Sequence, residues 1–219
     1  MGLMPDGWII RHSHGDAAAF HASTPVAERS VTFHTVERPT LVLGSAQTDA
    51  DADATIAAAL GVDVVRRRSG GGAVLLLPGE FVWADVVVPA GDALWLDDVA
   101  RSMLWLGRAW TAALAELGVP GRVHEGQLEP STWSKHVCWA GVGTGEVMGG
   151  IGKLVGISQR RSRELARFQT MCHFRWRPEM VAALVAAPRP SAAELAASAA
   201  CVPASAAQVM AALVAHLPA

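Results

Sequence analysis

Arg66, Arg67 and Arg68 stand directly before Ser69 and three consecutive glycines, Gly70, Gly71 and Gly72, which lead into Ala73 and Val74. Adjacent glycines permit positive φ and let a ligand approach the backbone with no Cβ in the way, so successive N–H groups become donors to an anion. The arginines add fixed positive charge and bidentate donors suited to phosphate or carboxylate. Together they read as an anion cradle. The run is not a Walker A loop, because no Gly-Lys-Ser/Thr ending follows. Nor is it a dinucleotide fingerprint, because strand-like sequence comes next. As a bare pattern it is equally a structural turn or a ligand loop.

A second basic and glycine-flanked stretch, "IGKLVGISQRR", carries Lys153 at its start, Gly156 and Ser158 within it and Arg160 and Arg161 at its end. Period two puts Lys153, Val155, Ile157 and Gln159 on one face and Leu154, Gly156 and Ser158 on the other. The two stretches could line one cleft; alternatively, Lys153 only blunts a hairpin edge. The chain has two lysines, Lys135 and Lys153, against sixteen arginines, and no Asn or Tyr. An ammonium kept against that bias suggests a place where a planar guanidinium does not fit, although Lys135 reads as an exposed survivor. The three cysteines, Cys138, Cys172 and Cys201, form no C-x-x-C pair, so neither a disulfide framework nor a zinc ribbon is expected. The eight histidines include no H-E-x-x-H, and His12-x-His14 is a weak pattern.

The elements that must hold these residues come from the apolar patterning. With 219 residues, about half of them apolar, the chain has the composition of one globular domain, or of one with a small appendage. A formal charge of −2 gives no general attraction to nucleic acid or anionic lipid. The N-terminus lacks a charged start with a long apolar core, and no apolar run approaches a membrane span, so a cytoplasmic protein without membrane or nucleic-acid partners is expected. "WII", "RSVTFHTV" and "TLVLGS" read as strands, and "DAAAFHASTP" between them as a short helix or loop. An Ala-rich helix stopped by Gly61 precedes a strand over 62–66. "AVLLLPGEFVWADVVVP" reads as two strands joined at Pro78-Gly79, with alternation clearest from Trp83 to Val88. Apolar residues Val99, Met103, Leu106, Trp110, Ala113 and Leu117 recur at three and four, predicting a long helix over 97–117. A hairpin turns through 149–152 into the Lys153 strand, "RFQTMCHFRW" follows as another strand, and beyond Pro178 two or three small Ala-rich helices are expected. Short turns between strands predict an α+β fold with a central mixed, largely antiparallel sheet flanked by helices.

"RPTLVLGSAQ", "VVRRRSGGGAV" and "GKLVGISQRR", in this order and at these separations, resemble the lipoate-protein ligase family, within the wider group of biotin and lipoate protein ligases and octanoyltransferases. The resemblance covers roughly residues 8 to 175. It implies a biotin/lipoate ligase-like catalytic domain over 1–177, leaving 178–219 as a short helical C-terminal appendage. It implies activation of lipoate or octanoate by ATP with Mg²⁺ to an acyl-AMP. Acyl transfer then follows to a lysine of a lipoyl carrier domain, in a 2-oxoacid dehydrogenase complex or the glycine cleavage H protein. On matching positions, Arg66, Arg67 and Ser69 to Val74 form the loop over the acyl chain and adenylate. Gly156 and Ser158 belong to the lysine strand, and Lys153 faces the acyl carbonyl and phosphate oxygens. An ammonium and preorganised N–H groups there would stabilise the charge that develops in transfer.

Two departures qualify that expectation. Many lipoate ligases continue the glycine motif into an aromatic-His-Asp segment and Gly-Asn, where this chain has "LLLPGE". Asp85, in "WAD", is a weak substitute as a metal ligand and equally a strand-face residue. Some octanoyltransferases of the superfamily use a cysteine thioester in place of the adenylate. One known placement falls on Ala166; the other lies fifteen residues before the lysine, where Cys138 stands. A thiolate there could take an octanoyl group without ATP, whereas a buried Cys next to Trp139 would be only a small hydrophobe. A non-catalytic acyl-binding protein is the third reading. Neither the acyl chain nor the oligomeric state is fixed by these motifs.

Overall fold

The computed structural model describes residues 7–219. Residues 1–6, on which the reading of the N-terminus and the first part of the expected domain also rest, lie outside them. The strands are β1 (Ile9–Gly15), β2 (Ser30–Val36), β3 (Thr40–Leu43), β4 (Asp63–Arg66), β5 (Val74–Leu76), β6 (Phe81–Pro89), β7 (Arg122–Val123), β8 (Val147–Met148), β9 (Lys153–Arg161) and β10 (Leu165–His173). The helices are α1 (Ala17–Ala22), α2 (Ala54–Ala59), α3 (Leu104–Glu116), α4 (Pro178–Leu184), α5 (Ala192–Leu195) and α6 (Ala206–Ala215).

Seven strands form one sheet in the order β1-β2-β6-β10-β9-β8-β7, parallel only between β1 and β2, and three form a second in the order β4-β3-β5. The expected α+β class with a mixed, largely antiparallel sheet is what forms. β6 and β10 sit at the centre, and every residue of β6 from Phe81 to Val88 is buried. Its alternation therefore sorts side chains between two buried layers, not between core and water. Val82, Ala84, Val86 and Val88 face one core with Leu106, Trp110 and Leu114 of α3 and Val209 and Leu213 of α6. Phe81 and Trp83 face the other, shared with Leu41 and Leu43 of β3, Leu75 and Leu76 of β5 and Leu184 of α4. Truncating Leu106 or Leu114, both fully buried, would remove about 2–5 kcal/mol.

Three expectations shift. The long helix begins at Leu104, preceded by a 3-10 turn over Arg101–Met103. The Asp98 carboxylate accepts from the Arg101 amide, and Val99 is left exposed. The two strands joined at Pro78-Gly79 are not a hairpin, since β5 lies in the small sheet and β6 in the large one. Finally, helices do begin near residue 178, but the packing crosses that boundary. α6 packs on α3 and β6, Trp8 donates to the Pro218 carbonyl, and the segment around Ala199 pairs with the start of β9. No helix among the described residues is long and apolar enough to cross a membrane.

Candidate acyl-transfer site

The glycine loop joins β4 to β5, and because these strands flank β3 without pairing with each other, it is a crossover and not a hairpin turn. It is held by close backbone approach. A Cβ on Gly72 would lie 2.6 Å from the Val137 amide nitrogen, and one on Gly44 would lie 1.7 Å from the Gly71 carbonyl oxygen. The Ala73 amide donates to the His136 carbonyl (2.8 Å) and the Cys138 amide to the Ala73 carbonyl (3.0 Å). Gly71 adopts φ +95, a region natural to glycine. Loop and Cys138 segment are thereby laced together. The amides of Ser69, Gly70, Gly71 and Gly72 donate to no protein acceptor among the described residues, which leaves a row of N–H groups for a ligand.

The arginines of the loop divide. Arg66 is half exposed, with Asp49 3.7 Å away. Arg67 is 5 % exposed and donates to the carbonyls of Val42 (3.3 Å), Gly70 (2.8 Å) and Gly72 (2.8 Å). It ties the loop from beneath and also lines the cleft between the two sheets, with only its Nε left without a partner. A guanidinium does this because its fork reaches several carbonyls at once. Arg68 is exposed.

Lys153 is 1 % exposed. Its Nζ donates to the Cys138 carbonyl (3.0 Å) and to Glu146 Oε1 (2.8 Å), lies 2.7 Å from Glu146 Oε2, and sits over the Trp139 ring. Glu146 also accepts from the amides of Gly143 (2.7 Å) and Ile157 (3.2 Å). The face expected for Lys153 is corrected. Val147 pairs with Val155 but Met148 pairs with Lys153, so β9 carries one extra residue at a β-bulge. The bulge breaks the alternation and brings Lys153 to the same side as Gly156. A Cβ on Gly156 would lie 3.8 Å from Lys153 Cδ, 3.7 Å from the Trp139 ring and 3.6 Å from Glu146 Oε1.

Between the two sheets lies a largely apolar cleft, open at its mouth and walled by Val42, Val74, Leu76, Trp83, Trp139 and Met171 among others. Such a lining suits a small apolar group. Cys138 and Gly156 border it, and Cys138 Sγ would be 3.3 Å from a Cβ on Gly71. The other cysteines have different surroundings. Burial pushes the Cys172 thiol up to about 12, and Cys201 is exposed.

Along the cavity runs a polar row that the sequence reading did not single out beyond its two serines. Ser158 Oγ donates to Ser69 Oγ (3.2 Å), Ser69 Oγ to Gln169 Oε1 (3.1 Å), and Gln169 Nε2 lies 3.3 Å from His21 Nδ1. Gln169 and His21 carry no motif signal, and they meet the serines only because β10 pairs Gln169 with Ser158.

The carboxylates nearest the site are engaged by protein partners. Asp85 is enclosed by His34 Nε2 (3.0 Å), Trp83 Nε1 (2.8 Å) and Arg167. Burial raises its pKa, but the His34 hydrogen bond and the His34 and Arg167 charges outweigh that and hold it below the usual value. Glu80, in the "LLLPGE" segment, is paired with Arg177 (2.6 Å), and Glu146 with Lys153. Among the described residues no three His, Cys, Asp or Glu side chains are grouped to hold a metal.

Two sheets that close a glycine crossover and a buried lysine around an apolar cleft define a catalytic domain of the ligase and transferase kind. Residues 16–217 match the lipoyl protein ligase A/B catalytic domain, and the chain belongs to that family. No curated protein matches its sequence closely enough to add to this. Among solved structures it is similar to a lipoate-protein ligase A bound with ATP, at 20 % identity and TM-score 0.69, covering 92 % of this chain and 76 % of that one. It is also similar to protein Ta0514 of T. acidophilum with bound lipoic acid, at 18 % and 0.68, covering 92 % and 76 %. A third is a bi-partite lipoate protein ligase of Thermoplasma acidophilum described with its E2 lipoyl domain, at 18 % and 0.69, covering 92 % and 74 %. At these identities the likeness is one of fold.

Proposed function

We propose that the protein transfers a lipoyl- or octanoyl-type acyl group to a lysine of a lipoyl carrier domain, with Cys138 carrying the acyl group as a thioester. The observation that carries this reading is Cys138 in the wall of the apolar cavity, laced to the glycine loop and with Lys153 Nζ on its own carbonyl. The Cys138 thiolate attacks the carbonyl of an acyl thioester, the donor thiolate leaves, and the acyl chain occupies the cavity. The amine of the carrier lysine then attacks the Cys138 thioester. The amide bond forms, the C–S bond breaks, and the amine proton passes to the departing thiolate. The free amides of Gly71 and Gly72 suit the oxyanion that develops in both steps. Partners of this kind accord with the lipoyl domain named beside the Thermoplasma acidophilum ligase.

A second reading, activation of the free acid by ATP, is favoured by the exposed guanidinium groups of Arg66 and Arg68 beside those amides, a combination suited to phosphate. Purified protein is mixed with a lipoyl domain and either an octanoyl carrier-protein thioester without ATP, or lipoate with Mg-ATP, and the domain's mass is followed. Gain without ATP that is abolished by Cys138→Ser, together with an acylated Cys138 peptide, is the expected result. ATP-dependent gain that survives Cys138→Ser overturns the thioester route in favour of the ligase. Acyl binding with no gain under either condition favours a non-catalytic protein.

A further inference from the structure

The turn that follows β3 is built around Gln47, which is 5 % exposed. Its backbone amide donates to the Gly44 carbonyl (3.0 Å) and its side-chain Oε1 accepts from the Gly44 amide (2.9 Å), so one residue closes both polar backbone groups of Gly44. The other end of the side chain leaves the turn. Nε2 donates to the His136 carbonyl (3.3 Å), 89 residues further along the chain. A side-chain amide has an oxygen that accepts and a nitrogen that donates. The Gly44 N–H meets only the first and the His136 carbonyl only the second, which fixes the orientation of the group.

These contacts converge on the parts that the thioester route needs. The turn grips the glycine loop: the Ser45 amide donates to the Ser69 carbonyl (3.0 Å), the Arg66 guanidinium to the Gln47 carbonyl (3.4 Å), and a Cβ on Gly44 would come within 1.7 Å of the Gly71 carbonyl oxygen. On the other side, the His136 carbonyl accepts from Gln47 and from the Ala73 amide (2.8 Å), which occupies both of its lone pairs. Cys138 follows two residues later, with Sγ 3.3 Å from the position of a Cβ on Gly71. Gln47 is thus tied at one end to the turn that braces Gly71 and at the other to the segment that carries Cys138.

We propose that Gln47 is a positioning residue that sets the separation between the Cys138 thiol and the Gly71 and Gly72 amides. This role rests on the thioester route, in which the thiol is the nucleophile and those amides receive the oxyanion. A misplacement of about 1 Å between reacting groups costs on the order of a hundredfold in rate. Gln47 is not one of the residues bordering the cleft, so its loss acts on the rate constant for acylation and leaves the binding of the acyl chain nearly unchanged.

The test separates the two hydrogen bonds of the side chain. Gln47→Glu keeps an oxygen for the Gly44 amide but sets a second oxygen against the His136 carbonyl, and protonation of the carboxyl, whose pKa burial raises, restores the donor. Gln47→Met keeps the length and supplies neither group. The full chain is mixed with an octanoyl pantetheine thioester, without ATP, and acylation of Cys138 is followed by mass spectrometry between about pH 5 and pH 8. Gln47→Met is expected to lower the maximal rate by about tenfold to a hundredfold, with the half-saturating thioester concentration within about twofold of wild type. Gln47→Glu should be as slow at the upper pH, and its deficit relative to wild type should shrink by about threefold or more toward the lower pH, whereas the deficit of Gln47→Met stays constant. Should Gln47→Met fold poorly, the change of Gln47→Glu with pH carries the test alone. Maximal rates within about twofold of wild type, a loss confined to the half-saturating concentration, or a Gln47→Glu deficit that does not shrink on acidification overturns the positioning role. If Cys138 of the wild-type protein is not acylated, the thioester route itself fails, and the role of Gln47 fails with it before any variant is compared.

Discussion

Asp85 with Arg167, and Glu146 with Lys153, are both buried ion pairs on the side of the seven-stranded sheet that faces the small one, yet their surroundings differ. Asp85 is surrounded by His34, Trp83 and Arg167, and the remaining donors of Arg167 go to the carbonyls of Phe20 and Ser23. Every one of those partners is part of the scaffold joining α1 to β2, β6 and β10. Lys153, by contrast, reaches the carbonyl of a residue whose thiol borders the cavity, beside loop amides that have no protein acceptor. Burial of charge is common to both pairs and does not identify chemistry. What separates them is what lies beside the cation: scaffold carbonyls around Arg167, and a cavity-lining cysteine with open loop amides around Lys153.

The contrast is broken or sharpened by four measurements. Lys153→Ala should lower acyl transfer by about a hundred- to a thousandfold. It should also destabilise the fold, because Glu146 is left buried without its cation. Adding Glu146→Gln should recover stability in a urea titration but not turnover. Recovery of turnover in the double variant would make Lys153 structural, like Arg167. Asp85→Ala should cost about 3–5 kcal/mol, since Arg167 is then buried unpaired, with turnover per folded molecule within a few-fold of wild type. A selective loss of turnover there would erase the distinction.

The third concerns pH. His21 and His173 are held by burial near 3 when folded, against 6.5 unperturbed. The unfolded chain therefore binds more protons between those values, and stability drops as pH falls through that window, by about 1.4 kcal/mol per pH unit for each histidine. The lowered pKa of Asp85 adds a further loss only below about pH 4. His173→Phe should remove one proton's worth of slope below pH 6.5, read from urea midpoints, and an unchanged slope would refute its neutral burial. The smallest effects lie within one glycine run. Gly72→Ala drives a Cβ to 2.6 Å from the Val137 nitrogen, whereas a Cβ on Gly70 meets nothing within 4 Å. The first should cost about 1–3 kcal/mol and loosen Cys138; the second should stay within about 0.5 kcal/mol. Equal stabilities would show that the lacing of loop to Cys138 does not matter.

Much of the scaffold was readable because its signals are local. The Lys153 hairpin, the strand from Asp63 to Arg66 and the helix around Trp110 follow from glycine turns and apolar periodicity within single segments. Legibility ended where a second segment decides. The face of Lys153 depended on a bulge that appears only when β8 pairs with β9, since an extra residue on one strand has no meaning until it is opposed by another. The charge of Arg67 is visible in the sequence, but its role in tying the loop is not. The carbonyls of Val42, Gly70 and Gly72 that take up its N–H groups are backbone atoms with no sequence signature.

By itself, then, the sequence determined the kind of site: arginines and glycines ahead of a strand, a lysine on another, a cysteine fifteen residues before it, and apolar runs long enough to build two sheets. Those are properties of residue type and spacing, which covalent order carries. Only the tertiary structure decided which charges are closed and which groups are left open. It engaged both oxygens of Asp85, put Cys138 on a cavity wall, and left His21 Nε2 with no acceptor among the described residues. The reason is that hydrogen-bond satisfaction is a sum over neighbours brought together from distant parts of the chain, and no single stretch contains it.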